Sequence, residues 1–265
     1  MNDLRLFQYA GSFYPKKASD ISSFIMGALK KANLNKTIQG KPKIIIVPHA
    51  GYIYSGAVAA YAYKTISEFS YKNIFLLGPS HYVVASNQIL TCTYKQFKTP
   101  LGNISTFKPE NLPTYFKDDD NAHALEHSLE VQLPFLQCLS KGYQIFPQLI
   151  NETNEESLTL ISNYEAGCLN SSDDNLLVIS SDLSHYHSYE EAKQIDRVTI
   201  KAILSLDENL LQNKGEACGL TPILIGLKIA KKLKLKPLLL KAANSGNASN
   251  SFNAPVVGYV AIVFF

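Results

Sequence analysis

The sequence has no hydrophobic run long enough to cross a membrane. Its most apolar stretch, VVGYVAIVFF at 256–265, is about half the roughly 20 residues a spanning helix needs, and its Val, Ile, Tyr and Phe content suits a buried strand. The opening residues MNDLRLFQYAGSFYPKK carry Asp3 and Arg5 and contain no apolar core of signal-peptide length. Cysteine is sparse: Cys92, Cys138, Cys168 and Cys218 stand far apart, with no CxxC pair and no short-domain disulfide framework. These absences predict a cytoplasmic protein with reduced thiols and no membrane partner. Neither end shows a lipidation motif. There is no GxGxxG, GxxxxGK[ST] or GxSxG, which removes the common nucleotide cradles and the hydrolase elbow. Charge of one sign is also lacking, because 25 basic against 22 acidic residues leaves a net +3. That balance is too even to predict nucleic-acid binding.

What the chain does have is a core. At 265 residues and 46% hydrophobic content it can bury most of its unfolded surface without staples. Continuous apolar runs at 43–49, 73–81 and 175–185 read as strands buried on both faces. Further strands are expected at 88–94, 143–150 (with Pro147 at an edge or bulge), 236–242 and 256–264. Helical patterns occupy 19–34, 55–69, 126–139 (kinked or broken at Pro134), 154–169, 188–205 and 221–233, while 99–121 reads mostly as loop. The alternation predicts one α/β domain over residues 1–265, with a largely parallel central sheet flanked by helices. Lys228, Lys231, Lys232, Lys234 and Lys236 form a basic cluster, read as a solvated helix face and strand entry.

Three apolar strands run into histidines: IIIVP into His49, FLLGPS into His81 and LLVISSDLS into His185. Ligands of open α/β sheets sit outside the carboxyl ends of the strands, so these imidazoles predict one shared polar site. Neutral imidazole is a common ligand of Zn, Cu and Fe, which makes His49 and His81 candidate metal ligands. A third ligand has three candidates: Cys218 in GEACGLTP, Glu216 just before it, and Asp182. The helix start after Cys218 is expected to lower its thiol pKa; the alternative is a buried structural thiol. Asp182 and His185, with Ser181 and Ser184, suggest an acid/base pair or groups orienting the ligands, though Asp182 also suits a helix N-cap. HALEHSLEVQLPF adds His123, Glu126, His127 and Glu130 without forming HEXXH. His123 is expected in an exposed loop, whereas His127 and Glu130 could face either core or site.

The blocks VPHAGYIYSG (47–56), LLGPSHY (76–82), EHSLEVQLPFLQ (126–137), VISSDLSHY (178–186) and EACGLTPI (216–223) occur in order with AGSFYP near the start and NSGN…PVVGYVAIVF at the end. Over nearly its whole length the chain resembles the Memo family, whose bacterial and archaeal members are often called AmmeMemoRadiSam system protein B. The resemblance implies a fold related to class III extradiol ring-cleaving dioxygenases, which hold Fe(II) with two histidines and a carboxylate. It implies that His49 and His81 match the metal histidines and that Cys218 matches a cysteine standing where the carboxylate would be. Asp182 and His185 match the residues lining that site, and His127 falls near it. Iron or copper binding with redox activity is implied by the eukaryotic relatives, as are signalling partners including phosphotyrosine peptides. After the cysteine, Gly-Leu-Thr-Pro stands where relatives often carry a basic residue.

Three functions compete at this level. The first is a metal-dependent oxidoreductase acting on a small substrate, with Fe(II) or Cu(I), or alternatively Zn, at a His₂Cys centre and His185, Asp182 and His127 in catalytic roles. The second is a noncatalytic module that binds metal or a peptide in an inherited pocket. The third is metal-free, with Cys218 as nucleophile, His185 as base and Asp182 as its orienter.

Overall fold

The structure is a computed structural model that describes residues 3–34, 40–139 and 142–265. A short strand β1 (Leu4–Arg5) precedes helix α1 (Ala18–Lys31), which buries Ile21, Ile25 and Leu29 at helical spacing. Next come β2 (Ile44–Val47), α2 (Tyr52–Ile66) and β3 (Asn73–Gly78). The short strands β4 (Ile89–Thr91), β5 (Gln96–Thr99), β6 (Gly102–Ser105) and β7 (Phe116–Asp118) follow. A broken helical region holds α3 (Asp120–Ala124), α4 (His127–Glu130) and α5 (Leu133–Leu139). Pro134 sits in the first turn of α5, where a missing N–H is harmless; inside one continuous helix it would clash with the preceding turn.

The second half begins with β8 (Gln144–Leu149), α6 (Glu155–Asn170), β9 (Asn175–Ser180) and β10 (His185–His187). It continues through α7 (Tyr189–Leu204), α8 (Glu208–Lys214) and α9 (Leu220–Leu233). It closes with β11 (Pro237–Asn244), α10 (Ser245–Ser249) and β12 (Val256–Phe264).

The main sheet has nine strands in the order β10-β12-β2-β9-β3-β8-β4-β7, with β11 also on β12, and a small sheet joins β1, β5 and β6. Its centre, β2-β9-β3-β8, is parallel throughout, as the continuous apolar runs predict, while β12 and β4 join it antiparallel. β4 meets β8 at Leu90 and Leu149, so Pro147 lies on a stretch that makes no further ladder pairs with β4. Successive residues of β2 point to opposite sides: Ile45 and Val47 join one core with α1, α2 and α5, and Ile44 and Ile46 join the other with α6 to α9. Gly226 lets α9 lie against β9, because a Cβ there would come within 2.4 Å of Ile179 Cδ1.

The 99–121 region is mostly loop, as expected, with the short strands β6 and β7 and the start of α3 within it. One expectation needs correction. His123 is 1% exposed, because α3 tucks it beneath β4, where Nε2 lies 3.0 Å from Leu90 O. The basic cluster behaves as a solvated face: Lys228 pairs with Glu155 and Glu208, and Lys231 with Glu208.

Candidate metal centre

β2, β9 and β3 are neighbours in the sheet, so their carboxyl ends open at one place. His49, just past β2, His81, just past β3, and His185, in β10 after β9, all line one cavity of about 820 Å³. His127, at the start of α4, Asp182 and Cys218 line it too. His49, His81 and His127 each offer a ligand atom within 4.8 Å of the others, forming the compact metal-type group among the described residues. Their ring centroids lie 5.4 Å (His49–His81), 5.3 Å (His49–His127) and 4.4 Å (His81–His127) apart.

Hydrogen bonds orient two of these rings. Ser180 Oγ donates to Ser128 O at 2.6 Å and accepts from Gln132 Nε2 at 2.8 Å. Having spent its one proton, it must accept again from His49 Nδ1, 3.0 Å away. The proton of His49 is thereby placed on Nδ1 and the lone pair on Nε2. Burial, then the neighbouring His81, lowers the His49 pKa to about 3 and keeps the ring neutral. Glu126 treats His81 similarly: one carboxylate oxygen accepts the His81 backbone N–H at 2.6 Å, and the other lies 2.8 Å from Nδ1. A buried carboxylate behind an imidazole fixes the tautomer and raises ligand basicity. The same Glu126 Oε1 lies 3.3 Å from His127 Nδ1 but out of line for a hydrogen bond, leaving that buried nitrogen without a hydrogen-bond partner among the described residues. Burial, then His49 and His81, holds the His127 pKa down. Three clustered imidazoles, two of them oriented and one with an orphaned buried nitrogen, fit a borderline transition metal.

Cys218 comes to the site but stands outside the three-imidazole group. Its Sγ is 3.3 Å from His49 Nε2 and accepts the Asp182 backbone N–H at 3.3 Å. Burial and the Asp182 carboxyl push the thiol up to about 12, outweighing the helix start expected to lower it. Cys218 also borders a second cavity, lined by Val84, Ile150 and Pro222. Asp182 is not a helix cap: its carboxylate accepts the His49 backbone N–H at 2.8 Å, tying the ends of β2 and β9 together. Glu216 stands away from the three imidazoles, accepting the His185 N–H at 2.9 Å and lying 2.9 Å from His187 Nε2. Between these histidines, Tyr186 is 80% exposed at the cavity mouth with φ of 62°. A bulky residue in the left-handed region is costly and marks a position held by its surroundings.

Glu130 faces the core side. It pairs with Arg5 and accepts from Tyr14 OH at 2.7 Å and Tyr9 N–H at 2.8 Å. This anchors the N-terminal segment so that Phe13 packs on His127, ring centroids 4.9 Å apart. The roles of Glu126 and Ser180 were not legible in the sequence; the only signal was a Glu directly preceding His127 and a Ser ending an apolar strand.

A family profile described as Memo-like protein matches residues 5–263. A MEMO1 family protein of Methanosarcina mazei is 35% identical over 98% of this chain and 99% of its own length. Those of Sulfolobus acidocaldarius (34%, over 98% and 99%) and Aquifex aeolicus (35%, over 96% and 97%) are similarly related. Matching end to end, with the site blocks falling at the strand ends of one sheet, the chain belongs to the Memo family.

Proposed function

We propose that the cavity binds Fe(II) or Cu(I), with Zn as a further candidate, through His49, His81 and His127. On this reading the protein oxidises a small molecule there with dioxygen as electron acceptor. The observation that carries it is the set of three imidazole ligand atoms within 4.8 Å of one another, two of the rings oriented by Ser180 and Glu126. Bound there, iron or copper would supply electron transfer and Lewis acidity, whereas zinc would supply Lewis acidity alone and so fit only the binding-module outcome. The remaining chemistry falls to the chain. His185, held by Glu216 through its backbone, is the group to give or take a proton from the bound molecule. Asp182 keeps His49 in place, and burial raises its carboxyl pKa so that it holds a proton more readily than an exposed acid. A reducing cytoplasmic setting is part of this reading, in which the four free cysteines persist as thiols.

A second ligand set, His49, His81 and Cys218, is favoured by the 3.3 Å approach of Sγ to His49 Nε2. Metal analysis of protein purified without affinity-tag nickel separates the two. With His127 as ligand, His127→Ala loses stoichiometric metal and Cys218→Ser keeps it; the reverse pattern identifies Cys218 as the ligand. Oxygen uptake on a panel of dihydroxylated aromatics then tests turnover. Metal without turnover makes the protein a binding module, and absence of metal from the wild type overturns the proposal.

A further inference from the structure

Beside the proposed metal centre, β10 departs from a regular strand. It pairs antiparallel with β12 at His185–Val257 and His187–Val256, so β10 advances two residues while β12 advances one. Tyr186 is therefore the extra residue of a β-bulge, and its φ is 62°. Bulges with a residue in the left-handed region ordinarily place glycine there. The other described non-glycine residues with positive φ stand where that conformation is routine. Asn87, Asn111 and Asn250 are asparagines, and Leu206 and Lys234 lie at the ends of α7 and α9. Tyr186 is an aromatic residue inside a strand, and at 80% exposure no burial offsets its strain.

The strain has a geometric result. Consecutive residues of a regular strand point to opposite faces, yet His185 and Tyr186 both line the same cavity. A bulge re-aims a side chain in this way. One carboxylate holds the distortion from outside the strand. Glu216 Oε1 accepts the His185 N–H at 2.9 Å, and Glu216 Oε2 lies 2.9 Å from His187 Nε2. Glu216 is itself fixed, because its backbone N–H donates to the buried Thr199 Oγ1 of α7 at 3.0 Å. Turning Tyr186 to a negative φ would swing one of its neighbours off this carboxylate.

We propose that Glu216 is a positioning residue. By bracketing His185 and His187 it forces Tyr186 into the left-handed region and keeps the tyrosine ring at the cavity mouth, where the ring contacts the outer part of a bound molecule. That the cavity has a ligand rests on the metal-centre reading; the bracket and its strain do not.

The bracket is tested without metal or ligand, by thermal unfolding of chelator-treated protein. Tyr186→Ala and Tyr186→Gly both remove the ring, but only glycine adopts the left-handed conformation freely. Glycine is ordinarily the less stable of the two inside a strand. Here Tyr186→Gly should melt roughly 2–4 °C above Tyr186→Ala. Adding Glu216→Ala, tolerable at a side chain that is 40% exposed, should abolish that advantage. A Tm for Tyr186→Gly no higher than for Tyr186→Ala, or an advantage that survives Glu216→Ala, overturns the bracket.

The ring contact is read by calorimetric titration of metal-loaded protein with catechol. Tyr186→Gly should bind catechol about tenfold more weakly than wild type, with metal content unchanged. Glu216→Ala should lose a similar factor in the wild-type background, but less than about threefold once the Tyr186 ring is gone. Glu216→Gln, which keeps an oxygen to accept the His185 N–H, should retain most of the affinity. Wild-type affinity in Tyr186→Gly, or an undiminished effect of Glu216→Ala in the Tyr186→Gly background, overturns the proposal. A wild type without metal, or with metal but no affinity for catechol, sinks the proposed function instead. The melting order then decides the bracket alone: glycine above alanine supports it, and the ordinary order overturns it.

Discussion

Glu126 has the most demanding role among single residues. With 2% exposure it holds both the backbone and the ring of His81, accepts the Ser128 N–H at 2.8 Å, and lies beside His127. Its ionised form is favoured by His81, which overcomes the opposing effect of burial and lowers its pKa. Replacing it with Gln keeps the shape but removes the charge that, on the proposed function, would make His81 a better ligand. Metal affinity in Glu126→Gln should fall about 10–100-fold. Competition against a chromophoric chelator measures this, and an unchanged affinity would show that Glu126 supports structure alone. Sequence reading placed Glu126 beside His127 but gave it no task, since its partner, His81, is 45 residues away in the chain.

At the scale of elements, α6 contains an unusual burial. Glu165 is 0% exposed and packs toward Gln148 of β8, yet among the described residues neither its carboxyl oxygens nor the Gln148 side-chain amide atoms are in a well-formed hydrogen bond. Burial pushes the Glu165 carboxyl up to about 8. The sign of the linkage follows. From about pH 4.3, where the unfolded glutamate ionises, to about 8, the folded state holds a proton that the unfolded state has released. Stability therefore falls as pH rises through this window. Glu165→Gln removes the effect and should make the protein more stable than wild type at pH 8, on the order of 2–4 kcal/mol, with little difference at pH 4.5. Urea midpoints of both proteins at the two pH values check this. A parallel pH dependence in the variant would show that other groups govern it.

For the whole molecule, the three imidazoles come from separate parts of the chain: the end of β2, the end of β3 and α4. A metal bound at that point would join segments that the two hydrophobic cores already hold together. Removing it should leave a folded protein, unlike small domains that depend on a structural metal. Saturation at 100 times the dissociation constant adds about 2.7 kcal/mol, which for a chain of this size corresponds to roughly 5–10 °C in Tm. Calorimetry with and without chelator measures the shift. His49→Ala should lose the shift but keep the metal-free Tm within a few degrees, and a chelated wild type that is unfolded would contradict this view.

The family, the parallel sheet centre and the meeting of His49, His81 and His185 were legible in sequence because each depends on local signals. Runs such as IIIV and NLLVIS, buried on both faces, can only be central strands, and residues just past such strands open on one side of the sheet. Two matters were decided only by tertiary structure. His127 joined the imidazole group because α4 folds back over the strand ends, while His123, four residues earlier, was drawn beneath β4. Cys218, beside a helix start that by itself favours thiolate, was made a weak acid by burial and by Asp182, a neighbour 36 residues away. Sequence periodicity specifies which side of an element is buried, but the charge around an atom depends on elements that meet only after folding.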